Sequence, residues 1–307
     1  MNFSHFDLNL LKALDVLLEE KNVTRAGERL FITQQAASSA LNRLRSHFDD
    51  ELLVRVGRKL ELTPLARSLA VPVHEALYAA RMAIETRPDF DPLREVREFS
   101  VAMSDYSIAI FLPRIIRKLA VAAPGFRVNV RPFNKESFNL IDSGRIDYCI
   151  TANDWRLYGE RRSSSDIQSR ILFTDDFVCV ADKDLLPGRE SLDLETYVGL
   201  AHNSVFFGEG IATLVERAWK QADLDIDVVL TVPTFSALIT VLPGTRMIAT
   251  TQRKLANALA PPLGLQILEC PLGMPPLEQN IFWHRRSAND PANKFFVQSI
   301  VEAGATM

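Results

Sequence analysis

Cysteine is scarce. The chain holds three, Cys149, Cys179 and Cys270, an odd number at wide spacing. That excludes a disulfide framework and fits free thiols in a reducing compartment. The five histidines (His5, His47, His74, His202, His284) are scattered, and no Cys-His cluster has metal-ligand spacing. No metal and no cofactor are expected. No apolar run approaches the roughly 18 residues of a membrane helix. The opening MNFSHFDLNLL has no basic stretch ahead of an apolar core, so no secretory leader is expected. Neither sign of charge is in surplus: 35 basic residues stand against 38 acidic ones, a net charge of -3. Bulk charge therefore points to neither nucleic acid nor membrane. The motifs GxGxxG, GxxxxGKS/T, GxSxG and HExxH are missing, which weighs against an enzyme. What is present is ordinary globular composition, 47% hydrophobic and 24% charged over 307 residues. That length suggests two domains, or three. A cytoplasmic protein is expected.

The first ninety residues carry the clearest pattern. Residues 8 to 20, LNLLKALDVLLEE, place Leu10, Leu14, Leu17 and Leu18 at helical spacing, with Lys12, Asp15, Glu19 and Glu20 opposite. Asp7 stands where it can cap that helix. Thr24 is the expected cap of a second short helix containing Ala26, Gly27 and Leu30, and Phe31-Ile32 reads as a tight apolar connection. Thr33 then caps QQAASSALNRLRSHF, where Ala37, Leu41, Leu44 and Phe48 recur at helical spacing. This is the layout of a helix-turn-helix. Small residues, here Ala26 and Gly27, let the two helices cross closely. The second helix needs short hydrogen-bonding side chains to enter a major groove about 12 Å wide. Gln34, Gln35, Ser38, Ser39 and Asn42 provide them, and Gln or Asn can pair bidentately with adenine. Arg43 and Arg45 suit phosphate. Up to this point an ordinary helical hairpin with a solvated face fits as well.

The next segment favours DNA. In LLVRVGRKLEL, residues 52 to 62, alternation breaks at Gly57-Arg58 as it does in a hairpin. A basic hairpin behind a helix-turn-helix is a wing, and its Arg55, Arg58 and Lys59 can meet backbone or minor groove. Residues 1 to 97 hold 14 Lys and Arg against 14 Asp and Glu, so the signal is placement and not surplus. Thr63-Pro64 opens a long helix. Its stripe of Leu65, Leu69, Val73, Ala76, Leu77, Ala80 and Ile84 implies pairing with a second chain; packing within its own chain is the alternative. Pro72 is expected to kink that helix or end its first part. Residues 87 to 97, RPDFDPLREVR, have linker composition.

From Phe99 onward short strands alternate with helices. Strands are expected at Phe99–Met103, Phe126–Val130, Ile146–Thr151, Arg170–Ala181, Asp227–Val232, Met247–Ala249, Leu265–Glu269 and Asn280–His284. Helices are expected at Glu136–Ser143, Ile211–Ala222, Thr234–Val241, Arg253–Leu259 and Pro291–Ala303, besides one with Pro113 near its start and Pro124-Gly125 after its end. Such alternation argues for an α/β fold with mainly parallel sheets.

The run from FDLNLL to LELTP, residues 6 to 64, resembles the N-terminal domain of LysR-type transcriptional regulators. NVTRAGERL, the Gln-initiated helix, LNRLR, the wing and the long helix stand in the family's order. FDP at 90–92, EFSVAMSDY at 98–106, LPRII at 112–116, GRIDYCI at 144–150, FVCVA at 177–181 and NIFWH at 280–284 extend the likeness over nearly the whole chain. They resemble the subgroup that contains the nodulation regulator NodD and the salicylate and nitrotoluene regulators NahR and DntR. Gln35 and Ser39 depart from the family's frequent Pro and Arg at DNA-facing positions, which bears on operator base preference.

The resemblance implies an α/β protein overall: a winged helix-turn-helix (1–63), a long linker helix for dimerisation (64–88), a hinge (89–97) and a periplasmic-binding-protein-like effector domain. That domain's two α/β subdomains would be 98–168 with 269–307, and 169–268, with crossovers near Gln168 and Glu269. Thr33, Gln34, Gln35, Ser38, Ser39, Asn42, Arg43, Arg55 and Arg58 are then the DNA-binding candidates. The implied partners are double-stranded promoter DNA, a second and further copies as homodimer and homotetramer, RNA polymerase and a small aromatic effector, with no membrane. In doubly wound sheets ligands sit at strand C-termini. Ser104, Thr151, His202, Asn203 and Phe235 are read at such junctions, and Phe111, Phe206, Phe207, Phe235 and Phe282 as apolar walls. Ser104 and Asp176 are ligand-facing by resemblance. Hydroxyls, amides and rings together suit a small aromatic effector, phenolic or anionic, and the expected outcome is activation of an operon for aromatic breakdown. A regulator answering a non-aromatic or redox signal, and a cytoplasmic solute-binding receptor, are the alternatives. The wing and the Gln/Ser helix face argue against the receptor.

Overall fold

A computed structural model describes residues 6–57, 59–85, 90–153, 166–206 and 212–307. Contacts divide the chain into one unit of Met1–Pro88 with Asn139–Arg145, and a second of Asp89–Phe138 with Ile146–Met307.

The first unit opens with α1 (Asn9–Glu20), α2 (Val23–Leu30) and α3 (Gln34–Phe48). Their periodic leucines explain them: Leu10, Leu14, Leu17, Leu41 and Leu44 are buried in one cluster with Ala26. Full burial of such a side chain contributes about 1.5–3 kcal/mol. The cap of α2 is Asn22, whose side chain accepts the Arg25 N–H at 3.0 Å; Thr24 lies inside the helix. Gly27 allows the close approach where α2 meets the turn, because a Cβ there would sit a tight 3.1 Å from the Ile32 carbonyl oxygen. The connection itself is not apolar packing. Phe31 has φ 56° and is 95% exposed, and the turn is closed by Ile32 N–H donating to the Gly27 carbonyl.

The wing is β1 (Leu53–Val56) paired antiparallel with β2 (Lys59–Leu62), with Leu53 opposite Leu62 and Val56 opposite Lys59. Gly57 takes the turn at φ +62°. Asp50 pins the base: its Oδ1 accepts from Leu52 N–H at 2.6 Å and from the Thr63 hydroxyl at 2.7 Å. Thr63 in turn caps α4 (Pro64–Glu85) by accepting the Ala66 N–H. Pro72 does not end that helix. Its apolar stripe divides. Val73 is buried, and Leu69 and Leu77 pack, in the cluster that holds α1, while Ala76, Ala80 and Ile84 are exposed. Half of the stripe therefore serves its own chain, and only the rest is open to a second one.

The second unit holds two five-stranded sheets. The first has the order β4 (Phe126–Pro132), β3 (Arg97–Met103), β5 (Tyr148–Ala152), β12 (Leu277–His284), β6 (Ile167–Asp175). The second has the order β11 (Leu265–Glu269), β7 (Phe177–Asp182), β10 (Met247–Gln252), β8 (Ala201–Val205), β9 (Val228–Val232). The helices that follow α4 along the chain are α5 (Asp105–Ile110), α6 (Leu112–Ala122), α7 (Ser137–Asp142), α8 (Leu194–Val198), α9 (Leu214–Gln221), α10 (Phe235–Thr240), α11 (Arg253–Leu259) and α12 (Pro291–Gly304). Phe296 of α12 stacks on Phe99 of β3 with ring centroids 4.1 Å apart, at the centre of the first sheet's core.

Three differences from the sequence reading matter. The sheets are mixed, because β12 and β7 each run antiparallel to both neighbours. Residues 170–181 are not one strand: β6 pairs with β12 in the first sheet and β7 with β10 and β11 in the second. The first crossover is therefore at Asp176 and not near Gln168, and the return lies between Glu269 and Leu277. Strand β8 and helices α5 and α8 stand outside the elements expected from the sequence. Among the described residues no helix is long and apolar enough to cross a membrane.

Candidate functional site

The exposed face of α3 is polar. Thr33 accepts the Ala36 N–H at 3.2 Å and starts the helix. Ala37, Leu41 and Leu44 turn inward, which leaves Gln34, Gln35, Ser38, Ser39, Asn42 and Arg43 exposed. Five uncharged hydrogen-bonding side chains on one rigid helix can address base edges. The Arg43 guanidinium lies 2.8 Å from the Asp7 carboxylate. That pairing, with the Asn9 N–H bond, holds Asp7 below the usual carboxylate range. Arg45 is not at the phosphate-facing surface. It donates to the carbonyls of Glu51 and Leu53 at 2.9 and 3.0 Å and so ties the wing to α3. Arg55 is exposed on the wing and donates to the Gly57 carbonyl. Arg58 lies outside the described residues.

A cavity of about 550 Å³ opens in the second unit where the two sheets face each other. Ser104, Tyr106, Asn134, Thr151 and Gln279 line it from the first sheet's side. Leu214, Thr234, Phe235 and Gln252 line it from the second's. Ser104 ends β3 and caps α5: its Oγ accepts the Ser107 N–H and is 3.0 Å from the Ser107 hydroxyl. Gln279 donates to that same hydroxyl at 2.7 Å, so a hydrogen-bonded chain backs the wall. Tyr106 donates to Asp175 at 2.7 Å, and Asp175 also accepts the Lys254 N–H. Burial pushes both the Tyr106 phenol and the Asp175 carboxyl up. An apolar space with a few convergent hydroxyls and amides is the form of a small-molecule site.

Three of the residues read from the sequence meet there: Ser104, Thr151 and Phe235. The others stand elsewhere. Phe111 is fully buried against Phe173, and Phe282 against Phe138, as core rings. His202 and Asn203 lie within β8, not at its end. His202 Nε2 donates to the Tyr197 carbonyl at 2.8 Å, and burial lowers its pKa. Asn203 donates to the Leu238 carbonyl at 3.0 Å. Asp176 sits at the crossover, where it pairs with Arg253 at 2.9 Å away from the cavity. Phe207 lies outside the described residues. The reading missed Tyr106, Asn134, Gln252 and Gln279. Two of these had a signal, since Gln252 ends β10 and Asn134 follows β4, the strand-end positions that marked Ser104 and Thr151.

Comparison with known proteins agrees with both units. The model of the LysR substrate binding domain matches residues 94–305, and that of the bacterial regulatory helix-turn-helix protein, lysR family, matches residues 8–67. Nodulation protein D 1 of Bradyrhizobium sp. (strain NC92) is 32% identical over 308 residues, covering 100% of this chain and 96% of that one. The solved structure of a probable transcriptional regulator from Pseudomonas aeruginosa is similar with a TM-score of 0.68 at 30% identity, covering 97% of each chain. Full-length CbnR, complexed with its target DNA, shares the fold at a TM-score of 0.63 and 16% identity, over 97% of this chain and 100% of that one. The chain belongs to the LysR family of transcriptional regulators: it binds DNA through the N-terminal winged helix-turn-helix and carries the family's effector domain in its C-terminal two-thirds.

Proposed function

We propose that this regulator works in the cytoplasm as a homodimer or homotetramer and activates transcription when a small aromatic compound fills the cavity. The observation that carries the reading is that cavity itself, walled by Phe235, Tyr106 and aliphatic side chains, with Ser104 and Thr151 among its lining residues. Rings suit its apolar bulk, and the hydroxyls give orientation. Two α3 helices of a dimer would read an interrupted inverted repeat with half-sites about one helical turn apart. RNA polymerase and an operon for aromatic breakdown are the downstream partners of this reading. The effector shifts the equilibrium between two arrangements only by its differential affinity for them, typically about 1–3 kcal/mol. Ser104→Ala tests it: DNA binding stays intact and the transcriptional response to an aromatic inducer is lost. An unchanged response would remove Ser104 from the site.

One observation favours a redox signal as a second reading. Cys270 follows β11, which pairs with β7 so that Leu268 stands opposite Cys179; the neighbouring Cys179 draws the Cys270 thiol down, while Cys270 and burial push that of Cys179 up. Alkylation mass spectrometry after peroxide treatment would show a Cys179–Cys270 disulfide if this pair were the sensor.

A further inference from the structure

We infer that the effector is electrically neutral at the end that enters the cavity, and that Asp105 enforces this. The inference rests on the reading of the cavity as the effector site. Backbone N–H groups at strand-to-helix junctions are where such a cleft would take an anion. Here the chain's own oxygens already hold several of them. Asp105, on the first sheet's side, accepts the Ser236 N–H at 2.8 Å from α10 on the second sheet's side. Thr234 takes the Ala237 N–H at 3.2 Å, and Asp175 takes that of Lys254 at 3.1 Å. Ser104 takes the Ser107 N–H, and Thr213 with Glu216 closes a capping box on α9.

Charge acts in the same direction. Among the described lining residues only Asp105 and Arg131 are charged. Asp105 is half-buried, and a second carboxylate beside it in a poorly solvated space meets strong like-charge repulsion. Arg131 is exposed at the end of β4, where water and salt weaken any ion pair it offers. The remaining polar lining, including Ser104, Asn134, Thr151, Gln252 and Gln279, is uncharged. It matches hydroxyl, carbonyl and amide groups. Asp105 thus has two roles. It bridges the two sides of the cavity through Ser236, and it excludes acids of the same shape as an accepted ligand.

The test is isothermal titration of the full-length protein and of Asp105→Asn at neutral pH with three matched pairs: benzamide and benzoate, cinnamamide and cinnamate, 2-naphthamide and 2-naphthoate. Each pair is nearly isosteric and differs in charge. Asn keeps a carbonyl oxygen to accept from Ser236 and removes the charge. The wild type should bind an amide about tenfold or more tighter than its acid, and Asp105→Asn should bring the two within about threefold by improving the acid. An acid that binds the wild type as well as its amide overturns the inference and leaves the aromatic reading standing. So does a ratio that Asp105→Asn leaves unchanged. If no member of any pair binds at millimolar concentration, the aromatic reading has failed, and this inference with it. Should Asp105→Asn lose its fold by circular dichroism, methyl cinnamate against cinnamate on the wild type decides: equal affinity overturns the inference, and a clear preference for the ester supports it.

Discussion

The Tyr106 phenol donates a 2.7 Å hydrogen bond to the carboxylate of Asp175. Tyr106 lines the cavity and Asp175 is the last residue of β6, directly before the chain crosses between sheets. One bond therefore links the cavity wall to the crossover. Tyr106→Phe leaves a buried carboxylate without one of its donors, and such a loss costs about 1–3 kcal/mol. Urea unfolding should show that loss in the effector domain, with DNA affinity in the absence of ligand unchanged. An unaltered midpoint would mean that the bond carries no stability.

Arg43 is exposed on α3, with the Asp7 carboxylate 2.8 Å away. Arg43→Ala should weaken binding to all sequences alike and reduce the slope of log K against log salt by about 1. Asp7→Asn should act in the opposite direction, since it frees the guanidinium for phosphate. Titrations at several salt concentrations separate this from a base-specific role, which would change the ranking of operator variants instead.

His202 gives a pH dependence with a definite sign. Burial lowers its folded-state pKa from the ordinary 6.5, and its ring donates to a carbonyl as the neutral form. As pH falls below 6.5, the unfolded chain binds the proton more readily than the folded one. The contribution of neutral His202 is thus complete above that pH and is lost on acidification. The melting temperature of the effector domain should fall from about pH 7 to about pH 5, and His202→Gln should flatten that fall. An identical pH profile in the variant would assign the acid sensitivity to other groups.

If the exposed part of the α4 stripe is the dimer contact, its two parts separate folding from assembly. Val73 is buried in its own domain and Ile84 is 84% exposed. Val73→Ala should cost about 1–3 kcal/mol of stability and leave the oligomer intact. Ile84→Asp should shift the sedimentation coefficient toward the monomer without lowering the melting temperature. If Ile84→Asp sedimented like the wild type, the dimer would form elsewhere.

Local chemistry made the DNA-binding half legible. Thr33 as cap, Gln34–Phe48 as helix and the hairpin turn at Gly57 all depend on neighbours a few residues away. The effector half was legible only as a class. Residues 170–181 read as one strand because both halves are apolar, and nothing local says that β6 and β7 belong to different sheets. The same limit put His202 at a strand end when it lies within β8. Asp176, ligand-facing by resemblance, pairs with Arg253 and is not among the lining residues. Which rings face a cavity depends on sheet stacking, so Phe235 and Phe282 looked alike in sequence and only Phe235 lines the space.

The central claim joins two events, DNA binding through α3 and an aromatic ligand in the cavity. A footprint and gel shift on the DNA upstream of this protein's own gene, at several salt concentrations and with a panel of substituted phenols and aromatic amides, tests both together. The expected result is a protected stretch of several helical turns that one class of neutral aromatic shortens or shifts. A footprint that no compound alters would contradict the aromatic effector, and the absence of specific protection at any salt would contradict operator binding at that site.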